Sequence, residues 1–334
     1  MPCFHPLKAG RLSNGSIKII CASKHYKYLP SDGRYAEMLD LPCGQCVGCR
    51  LAHSKQWAVR CMHEAQMYDH NCFITLTYAP EHLPLINGEP TLVLDHYQKF
   101  MKRLRFLANG LTPIVNPYPS SDDVSEWPVT WVHWPIRFFH AGEYGEKNGR
   151  PHYHACLFNY DFPDKVKLPR KSPSGMTLYR SAFLESLWPY GFSSIGTVTF
   201  QSAAYVARYI MKKQNGPNSE KHYRAVDVET GELLYRSKEY TTMSRRPGIG
   251  SLWFDEYSSD VYPHDYVIVN GRKCRPPKFY DGRLKAVSPD LFEEIRDERA
   301  LQLKKSLDDS TPERLAVREQ IQNAQLSRLP RKLS

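Results

Sequence analysis

The segment "GRPHYHACLF", residues 149–158, has the pattern of a buried β-strand that carries two histidines near its start. Side chains two residues apart on a strand point to the same face of a sheet, so His152 and His154 converge while Tyr153 points away. Two imidazoles held on one rigid strand are a natural pair of ligands for a divalent cation. The segment therefore indicates a metal site on a sheet, and the alternative is a pair of surface or hydrogen-bonded histidines.

The residues before this strand predict its hairpin partner. The stretch "IRFFHAGEYG", residues 136–145, has the pattern of a second strand, and Asn148-Gly149 marks a tight turn. Antiparallel pairing brings Glu143 opposite the histidines, and two imidazoles with one carboxylate suit Mg²⁺ or Mn²⁺. Glu146 is a second candidate ligand, although we expect it to lie in the turn.

Strands and helices alternate between residues 72 and 213. After the strand "CFITLTY", the spacing of apolar residues in "TLVLDHYQKFMKRLRFLANG" predicts a helix. Beyond the hairpin, "LYRSAFLESLWPYG" predicts a helix, "FSSIGTVTF" a strand, and "QSAAYVARYIMKK" a helix that starts at Gln201 or Ser202. The order β-α-β-β-α-β-α predicts an α+β fold, with an antiparallel sheet of ferredoxin-like topology flanked by helices.

We expect three regions along the chain of 334 residues. Residues 1–66 form a Cys-rich N-terminal segment, residues 67–216 the core, and residues 217–334 a basic C-terminal region of mixed structure that ends in short amphipathic helices. Thr311-Pro312-Glu313 has the residue types that open a helix.

The last helix of the core carries two tyrosines four residues apart, Tyr205 and Tyr209, which therefore lie on one helical face. Core packing is the ordinary role of such residues. Beside a metal site, however, a tyrosine hydroxyl can attack a DNA phosphodiester and form a 5′-phosphotyrosine. A phenol has a pKa near ~10, so it needs a neighbouring positive charge, and Lys212 lies one turn from Tyr209.

The cysteines near the N-terminus suggest a second metal site. In "PCGQCVGCR", Cys43, Cys46 and Cys49 have spacing that suits structural Zn²⁺, with Cys61 or Cys3 as a possible fourth thiolate. The alternative is a set of reduced cysteines without a metal. The odd total of nine cysteines argues against a disulfide framework.

Basic residues point to a partner that carries phosphates. Lys and Arg number 45 against 35 Asp and Glu, a net charge of +10. In "SRRPGIG", Arg245 and Arg246 precede a Gly-rich turn, a layout suited to phosphate contacts, and Lys213 is a third candidate for DNA binding. We find no signal-peptide pattern and no apolar window near the ~18 residues of a membrane span, so we expect a cytosolic protein without a membrane partner.

Together these motifs resemble the HUH endonucleases, and more closely the replication initiators of small single-stranded DNA phages of the Microviridae, gokushovirus type. The resemblance rests on "PCGQCVGCR", "CFITLTY", "GEYGEKNGRPHYHACLF", "AAYVARYIMKK" and "TMSRRPGIG", in that order, between about residues 40 and 254. It implies that His152 and His154 are metal ligands and that Tyr205 and Tyr209 lie on the nucleophile helix. Related enzymes with one nucleophile have Tyr-x-x-Lys, which Tyr209-Ile-Met-Lys212 fits and Tyr205-Val-Ala-Arg208 approximates. The resemblance therefore does not rank the two tyrosines.

The resemblance implies a metal-dependent endonuclease and ligase that nicks single-stranded or supercoiled origin DNA and initiates rolling-circle replication. The resemblance also implies that the protein acts in the host bacterial cytoplasm. The sequence "GxxxxGK[ST]" of a P-loop does not occur, so we expect a host helicase to separate the strands. Two alternatives stay open: a transposase or relaxase with the same core, and a zinc-dependent nucleic-acid-binding protein without catalysis.

Overall fold

The computed structural model describes residues 3–21, 35–108, 135–145, 148–172, 175–208, 218–227, 229–305 and 308–328. In chain order, its strands are β1 (Leu7–Arg11), β2 (Ile17–Cys21), β3 (Glu37–Leu41), β4 (Asn71–Tyr78), β5 (Leu85–Ile86), β6 (Glu89–Pro90), β7 (Arg137–Tyr144), β8 (Pro151–Phe158), β9 (Val166–Lys171), β10 (Thr177–Arg180), β11 (Gly191–Gly196), β12 (Arg224–Val226), β13 (Leu233–Tyr235), β14 (Tyr240–Met243), β15 (Val267–Val269) and β16 (Arg272–Cys274). Its α-helices are α1 (Val47–Gln66), α2 (Leu94–Ala108), α3 (Ala182–Leu187), α4 (Phe200–Arg208), α5 (Asn218–Tyr223), α6 (Ser251–Val261), α7 (Lys278–Val287), α8 (Pro289–Lys304) and α9 (Pro312–Arg328).

Internal contacts divide the chain into two compact units. The first unit contains residues up to 56 and residues from 261 to 331, and the second unit contains residues 57–260. Helix α1 begins in the first unit and ends in the second. The three regions predicted from the sequence remain a prediction, although strand β14, which belongs to the third of them, joins the sheet of the second unit.

A seven-stranded antiparallel sheet forms the second unit, in the order β14-β7-β8-β4-β11-β10-β9. Its four central strands run β7-β8-β4-β11 and are joined through α2 and α3, the split β-α-β arrangement expected of ferredoxin-like topology. The large antiparallel sheet predicted from the sequence is therefore confirmed. The pairing of β7 with β8 in a hairpin is confirmed, and Gly149 has a φ of +59°, which glycine adopts without strain. The last pair is Tyr144 with Pro151, so residues 145–150 connect the strands rather than a two-residue Asn148-Gly149 turn.

The segment "LYRSAFLESLWPYG" is not one helix as predicted. Its first residues belong to strand β10, which pairs with both β9 and β11. Helix α3 starts only after Ser181, whose side chain accepts the backbone N–H of Leu184 as an N-cap. The capping serine separates the two elements, and hydrophobic periodicity over the whole segment concealed this boundary.

Both faces of the sheet are covered within the second unit. One face packs on α2 and α3 through a buried cluster that includes Leu76, Tyr153 and Trp188. The other face packs on α1 and α4 through a smaller cluster that includes Phe139 and Val206. Because alternate residues of a strand face opposite sides, the histidine pair lies on the face covered by α1 and α4.

The first unit contains a three-stranded antiparallel sheet in the order β2-β1-β3 and the helices α7, α8 and α9. The two amphipathic helices predicted near the C-terminus correspond to α8 and α9. Thr311 caps α9, since its hydroxyl accepts the backbone N–H of Arg314 at 3.4 Å. None of the described helices is long and apolar enough to cross a lipid bilayer.

Candidate metal and nucleophile site

The histidine strand and its hairpin partner bring three possible ligands together. Glu143 on β7 lies directly opposite His152 on β8, and His154 lies two residues further along the same face. The ligand atoms of the three side chains all lie within 4.8 Å of one another, and His154 Nε2 is 3.1 Å from Glu143 Oε1. Glu143 and His154 are buried, whereas His152 is half-buried, so the cluster opens to solvent on the side of His152.

A threonine on the neighbouring strand fixes the orientation of His154. Thr75 on β4 pairs with His154, and its hydroxyl is 3.0 Å from Nδ1 of the imidazole. With Nδ1 engaged in this way, Nε2 points toward Glu143. A partner on the second ring nitrogen is the usual support of a histidine that ligates a metal. Thr75 was missed as a functional residue, although the alternation in "FITLTY" places it on the ligand face.

A tyrosine on the opposite face of β8 anchors the strand that carries the two histidines. Tyr153 is fully buried, and its hydroxyl accepts the backbone N–H of Val93 at 2.9 Å and donates to the Val93 carbonyl at 3.0 Å. It also lies 2.9 Å from the hydroxyl of Tyr78. Burial raises the pKa of Tyr153 to about 12, so the phenol stays protonated and able to donate. The prediction that Tyr153 points away from the histidines is confirmed.

Tyr205 lies beside the ligand cluster. Its ring meets the imidazole of His154 edge to face, with ring centroids 5.2 Å apart and an angle of 82° between the planes. The guanidinium carbon of Arg208 lies 5.9 Å from the centroid of the Tyr205 ring. The described structure thus joins one predicted nucleophile to the predicted metal site. Tyr209, Lys212, Lys213 and Glu146 lie outside the described residues.

A reciprocal cap sets the start of helix α4, and therefore the place of Tyr205. The backbone N–H of Thr199 donates to Ser202 Oγ at 2.8 Å, and the N–H of Ser202 donates to Thr199 Oγ1 at 3.1 Å. This is a capping box with Ser202 at its third helical position, so the helix starts at Phe200 rather than at Gln201 or Ser202.

Two buried charged residues, Glu64 and Arg137, contact the backbone of the turn that contains Arg245 and Arg246. Both arginines are exposed. The Glu64 carboxylate accepts the backbone N–H of Gly250 at 2.6 Å and forms a buried ion pair with Arg137. Arg137 also donates to the carbonyl of Pro247 at 2.8 Å. Nothing in the sequence pattern marked Glu64 and Arg137, because they are far apart in the chain and each lies in an otherwise ordinary helix or strand.

Of the two fourth members predicted for the cysteine cluster, the structure has Cys3 and not Cys61. Cys3, Cys43, Cys46 and Cys49 lie together, with all four Sγ atoms within 4.8 Å of one another. Cys61 is not part of this cluster. It follows Cys49 by twelve residues on helix α1, which separates them by about 18 Å along the helix axis. Cys61 is instead buried in the apolar cluster beneath the large sheet, and burial raises its pKa.

Backbone donors surround Cys46. Burial acts to raise the pKa of this thiol, but the N–H groups of Phe4, at 3.3 Å, and Cys49, at 3.5 Å, outweigh it and lower the pKa to about 7. Hydrogen bonds to a charged sulfur stabilise the thiolate. Cys46 is therefore close to its reactive, metal-binding form at neutral pH.

Comparison with known proteins places the chain among replication-associated proteins of phages. Residues 71–214 match the family model described as replication-associated protein ORF2/G2P. The replication-associated protein VP4 of Bdellovibrio phage phiMH2K is 32% identical over 297 residues, which cover 88% of this chain and 80% of the phage protein. The replication-associated protein ORF2 of Spiroplasma virus 4 is 32% identical over 323 residues, with coverage of 92% and 88%.

The replication-associated protein ORF4 of Chlamydia phage 1 is 28% identical over 256 residues, which cover 75% of this chain and 55% of that protein. The chain belongs to the family of Microviridae-type rolling-circle replication initiators. No solved structure matches it.

Proposed function

We propose that the protein is a site-specific endonuclease and ligase for single-stranded DNA that nicks a phage origin by tyrosine attack. The nick leaves a 5′-phosphotyrosine link and a free 3′-OH from which rolling-circle replication starts. The observation that carries this proposal is the contact between Tyr205 and His154, because it brings a candidate nucleophile against a candidate metal ligand.

The ligand cluster fits a divalent cation. Glu143 supplies the oxygen that Mg²⁺ and Mn²⁺ prefer, and His152 and His154 supply two imidazole nitrogens within 4.8 Å of it. Such an ion, when bound, polarises the scissile phosphate as a Lewis acid. Thr75 engages Nδ1 of His154, so that Nε2 is the nitrogen presented to the ion.

The bonds that form and break in the covalent step belong to the tyrosine and the DNA. The phenolic oxygen attacks the phosphorus, an oxygen–phosphorus bond to tyrosine forms, and the bond from phosphorus to the 3′ oxygen breaks. The phenol loses its proton and the leaving 3′ oxygen gains one, so the bonds and protons balance. A free 3′-OH can reverse the step and reseal the strand, which is the ligase activity.

A basic residue follows each candidate tyrosine by three positions in the sequence, and a positive charge next to a phenol would stabilise the phenolate. The guanidinium of Arg208 lies near the Tyr205 ring, and Lys212 follows Tyr209 by three residues. Two tyrosines four residues apart in the sequence would allow a second cut while the first remains linked to DNA. We propose both as nucleophiles and do not rank them.

The proposed partner is origin DNA in the cytoplasm of the host bacterium, with a host helicase to separate the strands. The relatives are named as replication-associated proteins of phages. Arg245 and Arg246 are exposed on a turn whose backbone is held by Glu64 and Arg137, which suits them for phosphate contacts. We include Lys213 as a third contact.

The proposal is tested with a labelled single-stranded origin oligonucleotide and Mn²⁺ or Mg²⁺. The wild-type protein should form a protein–DNA adduct that survives denaturation, and chelation of the cation should abolish it. His154→Ala should form none at the same metal concentration. His82→Ala, which changes an exposed histidine in a 3-10 turn, is the matched control and should retain adduct formation. DNA binding without any adduct in the wild type would instead favour a non-catalytic binding protein.

A further inference from the structure

We propose that Cys3, Cys43, Cys46 and Cys49 bind one Zn²⁺ through four thiolates, and that this ion fastens the N-terminal residues to the start of helix α1. The site lies within the first unit, whereas Glu143, His152 and His154 belong to the second unit. It is a structural site, independent of the proposed DNA cleavage.

The spacing of the sulfurs suits a tetrahedral metal. Zn–S bonds of about 2.3 Å in a tetrahedron place neighbouring sulfurs about 3.8 Å apart. Here Cys3 Sγ and Cys46 Sγ are 4.0 Å apart, and all four sulfurs lie within 4.8 Å of one another. A disulfide needs a separation of about 2.05 Å. The four residues are free cysteines, so the cluster is a set of thiols with room for an ion between them.

Backbone N–H groups point at three of the four sulfurs. Cys3 Sγ accepts from the N–H of Cys43, and Cys43 Sγ accepts from the N–H of Cys46, each at 3.3 Å. Cys46 Sγ accepts from Phe4 and Cys49. Hydrogen bonds to ionised acceptors are stronger than those to neutral ones, so these N–H groups suit sulfurs that carry negative charge as ligands of a metal ion. The ion would in turn offset the negative charge of the four ligands.

The packing around the cluster indicates what the ion would stabilise. Among the described residues, Cys3, Cys46 and Cys49 form a small buried cluster with only Phe4 and Leu315 as further buried members. So little apolar surface contributes little stabilisation, and small structural units of this kind depend on a metal or a disulfide. Zn²⁺ would join a residue at position 3 to the turn before α1 and to the first turns of that helix.

The donor set also selects the metal. Four thiolates are soft ligands, which favour Zn²⁺ over Mg²⁺ or Mn²⁺. The Glu143 cluster has an oxygen donor and two nitrogens, a harder donor set that also accepts Mg²⁺ or Mn²⁺. The thiolate site is therefore the one expected to keep zinc when loosely bound ions are removed.

The first test is metal analysis of the full-length protein, purified under reducing conditions and freed of loosely bound ions. We expect one zinc per chain. Cys46→Ser and Cys3→Ser should lose it, while Cys274→Ser, which removes a cysteine outside the cluster, should keep it. Zinc should also remain in His154→Ala, so the result is separate from the test of DNA cleavage. Wild-type protein without zinc, zinc retained by Cys46→Ser, or iron and sulfide in its place would overturn the proposal.

A second test does not depend on how the variants fold. Co²⁺ exchanged into the wild-type protein should give the intense thiolate charge-transfer and visible bands of a tetrahedral tetrathiolate site. Alkylation followed by mass spectrometry should find these four thiols protected until a strong chelator is added. The weak bands of six-coordinate Co²⁺, or equal alkylation with and without chelator, would contradict the assignment.

Discussion

His154 has a defined partner on each side. Thr75 contacts Nδ1 of the imidazole and Glu143 contacts Nε2. The Tyr205 ring on helix α4 meets the imidazole edge to face, and the Phe73 ring stacks on it with centroids 5.9 Å apart. The imidazole is fully buried. A buried ring with both nitrogens engaged has one orientation, and a ligand held in this way loses little entropy when an ion binds.

Thr75→Val tests the orienting role of the threonine. Valine keeps the shape but removes the hydroxyl next to His154 Nδ1, so we expect metal affinity to fall by about 10–100-fold. Mn²⁺ titration of DNA nicking, or calorimetry with Mn²⁺, measures the change. Thr77→Val on the same strand is the control, because its hydroxyl donates to the carbonyl of Phe192 rather than to a ligand. Equal Mn²⁺ affinities in the two variants would refute the role.

His63 predicts a pH dependence of folding. It is buried against Trp253, with ring centroids 3.6 Å apart, and burial lowers its pKa to about 4. An unfolded histidine has a pKa of about 6.5, so between these values the unfolded state binds the extra proton. The contribution of His63 to stability is therefore complete above pH 6.5 and is lost as the pH falls toward 4.

His63→Phe should remove this dependence while it keeps the aromatic contact. Between pH 7.5 and pH 5, the free energy of unfolding of the wild type should fall more than that of the variant, with the difference approaching about 2 kcal/mol. Urea unfolding at the two pH values measures it. Parallel losses in both proteins would show that His63 is not the responsible group.

Two elements carry the site, the β7–β8 hairpin and helix α4. The pairing of Glu143 with His152 places the ligands, and the cap at Thr199 and Ser202 sets where α4 begins. A third element, the turn at 244–250, depends on the buried pair of Glu64 and Arg137. Breaking a buried pair leaves one charge without compensation, which costs more than the loss of a surface pair.

Glu64→Gln should therefore destabilise the protein by about 3–5 kcal/mol, because Arg137 would remain buried without a counter-charge. The control is Glu185→Gln, which breaks an exposed pair with Arg180 and should cost less than about 1 kcal/mol. Urea unfolding of the three proteins gives the comparison. Similar midpoints for the two variants would contradict the anchoring of the turn.

Local sequence patterns predicted the helices and strands. They did not predict contacts between residues that are far apart in the sequence. The hairpin, the strand "CFITLTY" and the helix with Tyr205 follow from periodicity and turn residues within short windows. Thr75 became significant only through its pairing with a strand 79 residues away. Cys3 was one of two possible fourth thiolates, and the rise of helix α1 excludes Cys61. The fourth member of the cysteine cluster could therefore be identified only from the three-dimensional path of the chain.

At the scale of the whole molecule, the net charge of +10 matches a role at DNA. We expect log K for single-stranded DNA to fall linearly with log salt concentration, with a slope that reflects the phosphates contacted. The replacement of both Arg245 and Arg246 with alanine should reduce that slope by about 1.4, since each contact to a single strand contributes about 0.7.

A charge-matched control replaces Arg296 and Arg314 with alanine. Both are exposed and paired with acidic side chains, so their loss should leave the slope almost unchanged. Fluorescence anisotropy across a range of NaCl concentrations measures both variants. If the two double variants had the same slope, general surface charge rather than the 244–250 turn would bind the DNA.

The central claim is that Tyr205 or Tyr209 becomes covalently linked to DNA. Its most direct measurement is mass spectrometry of the protein–DNA adduct, with Tyr205→Phe, Tyr209→Phe and the double variant assayed in parallel. Phenylalanine retains the ring that packs on His154, so the fold around the site should persist. We predict a nucleotide on Tyr205 or Tyr209 in the wild type and no adduct in the double variant. An adduct in the double variant, or a nucleotide on any other residue, would contradict the account.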